Sequence, residues 1–281
     1  MIRARRPAEW VLVTGASAGI GRELAKAFAS RGYDLILLAR NEEALQTLAG
    51  ELVASHAVRA KTLPADLSIA GAAQEITCAL ERENLEIGIL VNNAGVVFDG
   101  DFASIALEDH LRLLQINVVA LTALTRLFLP PMIKRRSGRI LNVASLGGFM
   151  PVPRLAAYAA AKAYVLSLTE SLSEELRGTG VTATALCPGF TDTAMVRGSE
   201  SGRALPARII MSPKDVAEAG CAACLRGETI CIPGIGNRLL RDAAQFLPRQ
   251  VVRRLGGVSR GWSSMARTLY DLASSDGKAK K

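Results

Sequence analysis

Histidine is nearly absent from this chain: His56 and His110 are the only two in 281 residues. Neither lies near a serine or cysteine nucleophile motif, so hydrolysis through a histidine base finds no footing. Aromatic residues are also scarce, at 5%. No zinc-ligand spacing and no aromatic stripe accompanies the positive charge, which argues against nucleic-acid binding. The five cysteines are an odd number, and no signal-type apolar run follows the basic start from Met1 to Trp10. A reduced, cytoplasmic setting is expected on that basis. Cys221 and Cys224 form a CxxC, but no second pair matches it and the surrounding pattern is an alanine-rich helix. Two small buried side chains are expected there, and no metal site. Acids are outnumbered, 26 against 34 Lys and Arg, for a net charge of +8.

Hydrophobic residues make up 49% of the chain and charged ones 21%, enough to bury a sizeable core. Short apolar runs alternate with longer helical patterns. Strands are predicted at Trp10 to Thr14, Tyr33 to Ala39, Ala60 to Pro64, Gly88 to Asn92, Arg139 to Ala144, Val181 to Leu186 and Thr229 to Ile232. Helices are predicted at Gly19 to Ser30, Glu42 to Ser55, Ala70 to Glu83, Leu107 to Ile133, Ala156 to Arg177 and Pro213 to Leu225. This order implies an α/β class, with one doubly wound, mostly parallel seven-stranded sheet in a single domain over 8–236. Such sheets bind ligands at the carboxyl ends of their strands. Residues 237–281 form a basic extension with interleaved apolar residues, including Leu239, Leu240, Phe246 and Leu247. A docked helical extension with a flexible end is expected, and contact with an anionic membrane surface is the less favoured alternative.

The turn after the first strand reads Thr14-Gly15-Ala16-Ser17-Ala18-Gly19-Ile20-Gly21. Glycines there permit a tight turn and close approach to a pyrophosphate, and the helix start offers free N–H groups. The second strand ends Leu38-Ala39-Arg40-Asn41, with no acid to hold a ribose 2′-hydroxyl. Arg40 instead suits a 2′-phosphate, because its planar fork can hold two phosphate oxygens. Tyr158 and Lys162 are four apart and share one face of a helix. An ammonium near a phenol favours the phenolate, so this pair can exchange protons with a carbonyl or alcohol oxygen. Ser145 ends the fifth strand and can orient the same oxygen.

The TGxxxGIG turn, Asn92-Asn93-Ala94-Gly95, Ser145 with Tyr158-x3-Lys162, and Pro188-Gly189, in this order, resemble the short-chain dehydrogenase/reductase family over about Val11 to Gly189. The resemblance implies a Rossmann fold and an NADP(H)-preferring carbonyl reductase, near the 3-oxoacyl and hydroxysteroid-type branch. It also implies cofactor contacts at Gly15, Ser17, Gly19, Ile20, Gly21, Arg40, Asp66, Leu67, Asn93, Ala94, Gly95, Tyr158, Lys162, Pro188, Gly189, Thr191 and Thr193. Its catalytic group would be Asn117 as relay, Ser145 as orienting hydroxyl, Tyr158 as proton donor and Lys162 as its tuner.

Substrate walls are expected at Val96 to Phe98 and Leu146 to Val152, with Phe149 beside Ser145, and a lid over Phe190 to Met211. These are largely apolar, which suits a hydrophobic ketone, aldehyde or 3-oxoacyl chain. Arg154, Arg197 and Arg203 are candidates to attract an acidic substrate. Two other readings are an NADPH-binding regulatory protein without turnover and a membrane-surface protein acting through its basic tail. A homodimer or homotetramer, pairing through the long helices, is expected.

Overall fold

The computed structural model describes residues 9–198, 209–247 and 250–251. Seven strands form one sheet: β1 (Trp10–Thr14), β2 (Asp34–Ala39), β3 (Ala60–Pro64), β4 (Ile87–Asn92), β5 (Gly138–Val143), β6 (Val181–Leu186) and β7 (Ile230–Cys231). Their order is β3-β2-β1-β4-β5-β6-β7, and every pairing is parallel. Successive side chains of a strand point to opposite faces. Val11, Val13, Leu35, Leu37, Ile89 and Val91 accordingly bury into one core and Leu12, Ile36, Leu38 and Leu90 into another. That two-sided burial is why the strands read as unbroken apolar runs.

Helices α1 (Gly19–Ala29), α2 (Glu42–His56) and α8 (Pro213–Arg226) cover the first face through Leu24, Phe28, Leu45, Leu48, Leu52 and Val216. On the second lie α3 (Ala72–Arg82), α5 (Leu121–Lys134) and α6 (Ala156–Glu175). These contribute Ile76, Leu80, Leu124, Phe128 and Met132 to one core and Val165 and Leu166 to the group beside it. Local chemistry sets several ends. Asn41 caps α2 by accepting from the Ala44 N–H at 2.9 Å. Ser212 caps α8 by accepting from Asp215 at 3.0 Å, with Pro213 in the first turn. Gly227 closes α8 in the left-handed region.

The long helix expected over Leu107 to Ile133 is not uniform. It runs as α4 (Leu107–Leu114), a π-helical segment over Gln115–Ala120, and then α5. Two further helices are α7 (Ala194–Gly198), before α8, and α9 (Ile235–Phe246), after β7. The α9 helix is the described part of the expected extension. Cys221 and Cys224 are buried free thiols in α8, and burial pushes both up to about 12, so they stay protonated. Topologically, the chain leaves β1 for β2 and β3 on one side, then crosses to β4 on the other. The crevice at this reversal opens above the ends of β1 and β4, where doubly wound sheets take ligands.

Candidate active site

A cavity of about 750 Å³ occupies that crevice. Thr14, the last residue of β1, ties its two sides together. Its hydroxyl donates to the Val91 carbonyl and accepts from the N–H groups of Asn93 and Ala94 at 2.9 and 3.0 Å. Asn93 returns the contact, its amide donating to the Thr14 carbonyl at 2.9 Å. The turn that follows has Gly15 at φ +66, a region that favours glycine. A Cβ on Gly21 would stand 2.2 Å from the Gly15 carbonyl oxygen, so the helix can start this close to the strand only without one. The N-terminus of α1 has no side-chain cap and no acid in its first turn. Gly19, Ile20 and Gly21 line the cavity there, a setting that suits a pyrophosphate.

Arg40 and Asp66 stand at the β2–β3 end of the cavity. Arg40 is exposed, with a guanidinium nitrogen 4.0 Å from the Asp66 carboxylate. Burial opposes the charged form of Asp66, but hydrogen bonds from Ser68 and the cations of Arg40 and Arg112 outweigh it and hold the carboxyl below its usual value. Asp66 is thus an anion with accepting oxygens, and Arg40 is a cation facing the same space. Leu67 is buried beside them. The residues fit a dinucleotide: free N–H groups at one wall, a guanidinium and a carboxylate at the end, and Gly95 and Pro188–Gly189 lining the other half.

Ser145, Tyr158 and Lys162 line the same cavity above β5 and β6. Tyr158 and Lys162 come from the first turns of α6, and the ammonium lies 5.7 Å from the phenol ring centre. The Tyr158 hydroxyl is hydrogen-bonded to Ser145, which also accepts from the Gly147 N–H at 3.1 Å. Lys162 is buried and donates to the Val143 carbonyl at 2.7 Å. Burial sets both pKa values. It raises that of Tyr158, outweighing the Ser145 hydrogen bond, and pushes Lys162 down to about 8. The expected lowering of the phenol by the lysine does not prevail in the protein alone, because the apolar surroundings penalise every charge. The neutral phenol is the form that can give up a proton.

Asn117 is buried in the π-helical segment and clamps Val96, accepting from its N–H at 2.9 Å and donating to its carbonyl at 3.0 Å. Val96 follows Gly95 along the cavity wall, so the asparagine fixes the chain opposite Lys162. Thr191 and Thr193 line the remaining side, and the Thr193 side chain packs against Gly19 across the turn. The candidate catalytic and cofactor positions therefore converge, but of the expected substrate walls only Val96 lines the cavity, and Val97, Phe98 and Leu146 to Val152 do not. Phe149 is not part of the cavity lining; its ring sits 5.9 Å from the Arg241 guanidinium of α9, within the core group under that helix. Two arginines proposed for an acidic substrate are likewise engaged elsewhere. Arg154 pairs with Asp99 at 3.1 Å and Arg197 with Asp192 at 2.6 Å. Arg203 and the middle of the expected lid lie outside the described residues. Sequence reading missed Thr14, whose only signal is its place before Gly15, and the apolar Ile116, whereas Met195 and Val196 of the expected lid do line the cavity.

The short chain dehydrogenase family model matches residues 9–204. The very-long-chain 3-oxoacyl-CoA reductase of Rattus norvegicus is 34% identical over 196 residues, covering 68% of this chain but 62% of its own length. Oxidoreductase UcpA of Salmonella typhimurium is 34% identical over 255 residues, 85% of this chain and 95% of its own. Among solved structures, a short-chain dehydrogenase from Sphingobium yanoikuyae in complex with NADPH superposes with a TM-score of 0.77 at 34% identity, covering 84% of this chain and 92% of that one. The chain belongs to the short-chain dehydrogenase family of NAD(P)-dependent oxidoreductases, which act on small molecules.

Proposed function

We propose that this oxidoreductase uses NADPH to reduce the carbonyl of a hydrophobic ketone, aldehyde or 3-oxoacyl compound to an alcohol. The observation that carries the reading is the convergence of Ser145, Tyr158 and Lys162 on one wall of a cavity that ends at Arg40. Arg40 would hold the 2′-phosphate, with no acid at the end of β2 to prefer the free ribose. The turn from Gly15 to Gly21 would take the pyrophosphate, and Lys162 the nicotinamide ribose. When bound, the cofactor supplies a hydride to the carbonyl carbon.

The chain's own residues handle the oxygen. Tyr158, neutral through burial, donates its proton to the oxygen as negative charge develops there. Ser145 holds that oxygen beside the phenol by a second hydrogen bond. Lys162 stabilises the phenolate left behind, and Asn117 keeps Val96 in place where a water can bring a proton from solvent through the lysine to restore the phenol. The rat relative is a very-long-chain 3-oxoacyl-CoA reductase, which supports acyl substrates, and the apolar lining of Val96, Ile116, Met195 and Val196 suits such a chain.

The test is NADPH consumption over 3-oxoacyl thioesters, steroids, quinones and simple aldehydes. Turnover of at least one hydrophobic carbonyl is expected, and Tyr158→Phe should abolish it while NADPH still binds. Wild-type turnover by that variant overturns the proton-donor role. Tight NADPH binding with no oxidation across the whole panel favours a regulatory protein instead.

A further inference from the structure

We propose that α9 is a docking face for an anionic lipid bilayer. With 3.6 residues per turn, Ile235, Leu239 and Phe246 fall within about 40° of one another around the helix. They are 76%, 45% and 89% exposed. The opposite side of α9 already meets the fold's needs: Ala244 is buried, and Leu240 packs with Phe149 and Ile232 in the core below. The helix is therefore apolar on two sides, and the fold uses one. A grouped set of large apolar side chains left in water marks an interaction surface.

Charge identifies the occupant. Residues 237–281 hold ten Lys and Arg against three Asp, so nearly all of the net +8 of the chain follows this helix start. Within α9, Arg238 is exposed beside the stripe. Its only acid, Asp242, is ion-paired with Arg241 at 2.5 Å. An exposed apolar stripe with a surplus of arginine is what an interfacial helix presents to anionic headgroups. The other exposed apolar stripe, Leu107, Leu111 and Leu114 on α4, lacks this surplus, since Glu108 and Asp109 lie among its neighbours with Arg112.

Position gives the docking a consequence. The Asn237 side chain packs directly on Gly189 and reaches Met211, so the start of α9 braces the cavity wall. A helix is about 10 Å thick with its side chains. Lipid seated on the stripe is thus one helix away from the reaction cavity. Resting on the reading above, this favours a carbonyl substrate that partitions into the bilayer.

The experiment is co-sedimentation of the full chain with phosphatidylcholine vesicles, with and without phosphatidylglycerol, alongside the triple variant Ile235→Ser, Leu239→Ser, Phe246→Ser. All three positions are exposed, and circular dichroism checks that the variant is folded. Binding to the anionic vesicles, release by high salt, and a drop of about tenfold or more in the triple variant are expected. No binding by the folded wild type, equal binding to uncharged vesicles, or wild-type binding by the triple variant overturns the proposal. A variant that changes only its oligomeric state assigns the stripe to a second copy and overturns it as well. The readout needs neither cofactor nor substrate, so it fails or succeeds independently of the proposed reaction.

Discussion

Lys162 is held where its charge is costly. Its pKa falls from 10.5 to about 8 through burial, which corresponds to roughly 3 kcal/mol against the charged form. The sign follows from proton binding. Below pH 8 the lysine is charged in both the folded and unfolded chain, and the whole penalty is present. Between about 8 and 10.5 the unfolded chain holds the proton and the folded one does not, so this residue makes stability rise with pH. Lys162→Met should therefore stabilise the fold at pH 7 by about 1–2 kcal/mol, the lost hydrogen bond to Val143 offsetting part of the gain. Urea unfolding of both proteins at pH 7 and pH 10 checks this, and the advantage of the variant should shrink at the higher pH. The same titration bears on the proposed chemistry. If the ammonium stabilises the phenolate, reductive kcat/KM falls as pH rises through about 8. Arg40 supplies a separate test at the far end of the cavity. Arg40→Asp should convert a preference for NADPH into one for NADH, because it removes the cation and restores an acid for the ribose hydroxyl. Dissociation constants for the two cofactors read this directly, and an unchanged ratio overturns the assignment of Arg40.

At the level of elements, the break between α4 and α5 is the feature the sequence hid. One wider turn barely shifts an apolar stripe, so Leu113, Ile116, Leu124 and Phe128 read as a single helical face although Gln115–Ala120 is π-helical. Only the buried Asn117 hinted at an irregularity, and wider turns of this kind often occur at functional sites. The strands were legible for the opposite reason. Leu35 to Leu38 are buried on both faces of β2, and no other local structure explains so short a continuous apolar run. The cofactor turn and the Tyr158–Lys162 pair were legible because their spacing is local. Phe149 was misread because its partner, Arg241, arrives from a helix much later in the chain. Asn117→Ala tests the π-helical segment. It deletes both bonds to the half-buried Val96 and leaves its carbonyl and N–H without that partner, for a cost of about 1–2 kcal/mol. Thermal unfolding should register that loss. NADPH affinity at Arg40 should change little while kcat falls, because the disturbed wall lies on the side of Lys162.

On the scale of the molecule, the helical run Leu107–Lys134 poses a choice between spanning, packing and pairing. By length and a mean hydropathy of 1.6 it could cross a bilayer. Its inner side, however, carries Leu113, Leu124, Phe128 and Met132 into the sheet, where Phe128 and Met132 complete a core shared with α3. Withdrawing them would open that core, so packing accounts for this side. The outer side is left with Leu107, Leu111 and Leu114, spaced one turn apart, and Val119 farther along. Tyr164 of α6 lies near it, with its hydroxyl 2.9 Å from that of Thr122. We propose that this side pairs with its own copy about a two-fold axis, which needs only one self-complementary patch. Such an interface buries its centre most completely, and Leu111, 56% exposed in the single chain, stands in the middle of the stripe. Leu111→Arg would place two like charges across the axis and should yield a monomer. Light scattering of wild type and variant at matched concentration measures the outcome. A wild type that is already monomeric, or a variant that stays paired, rules out this face. Leu111 is on the solvent side of α4 and does not line the cavity. NADPH binding should therefore persist in the monomer, separating the loss of pairing from a loss of fold.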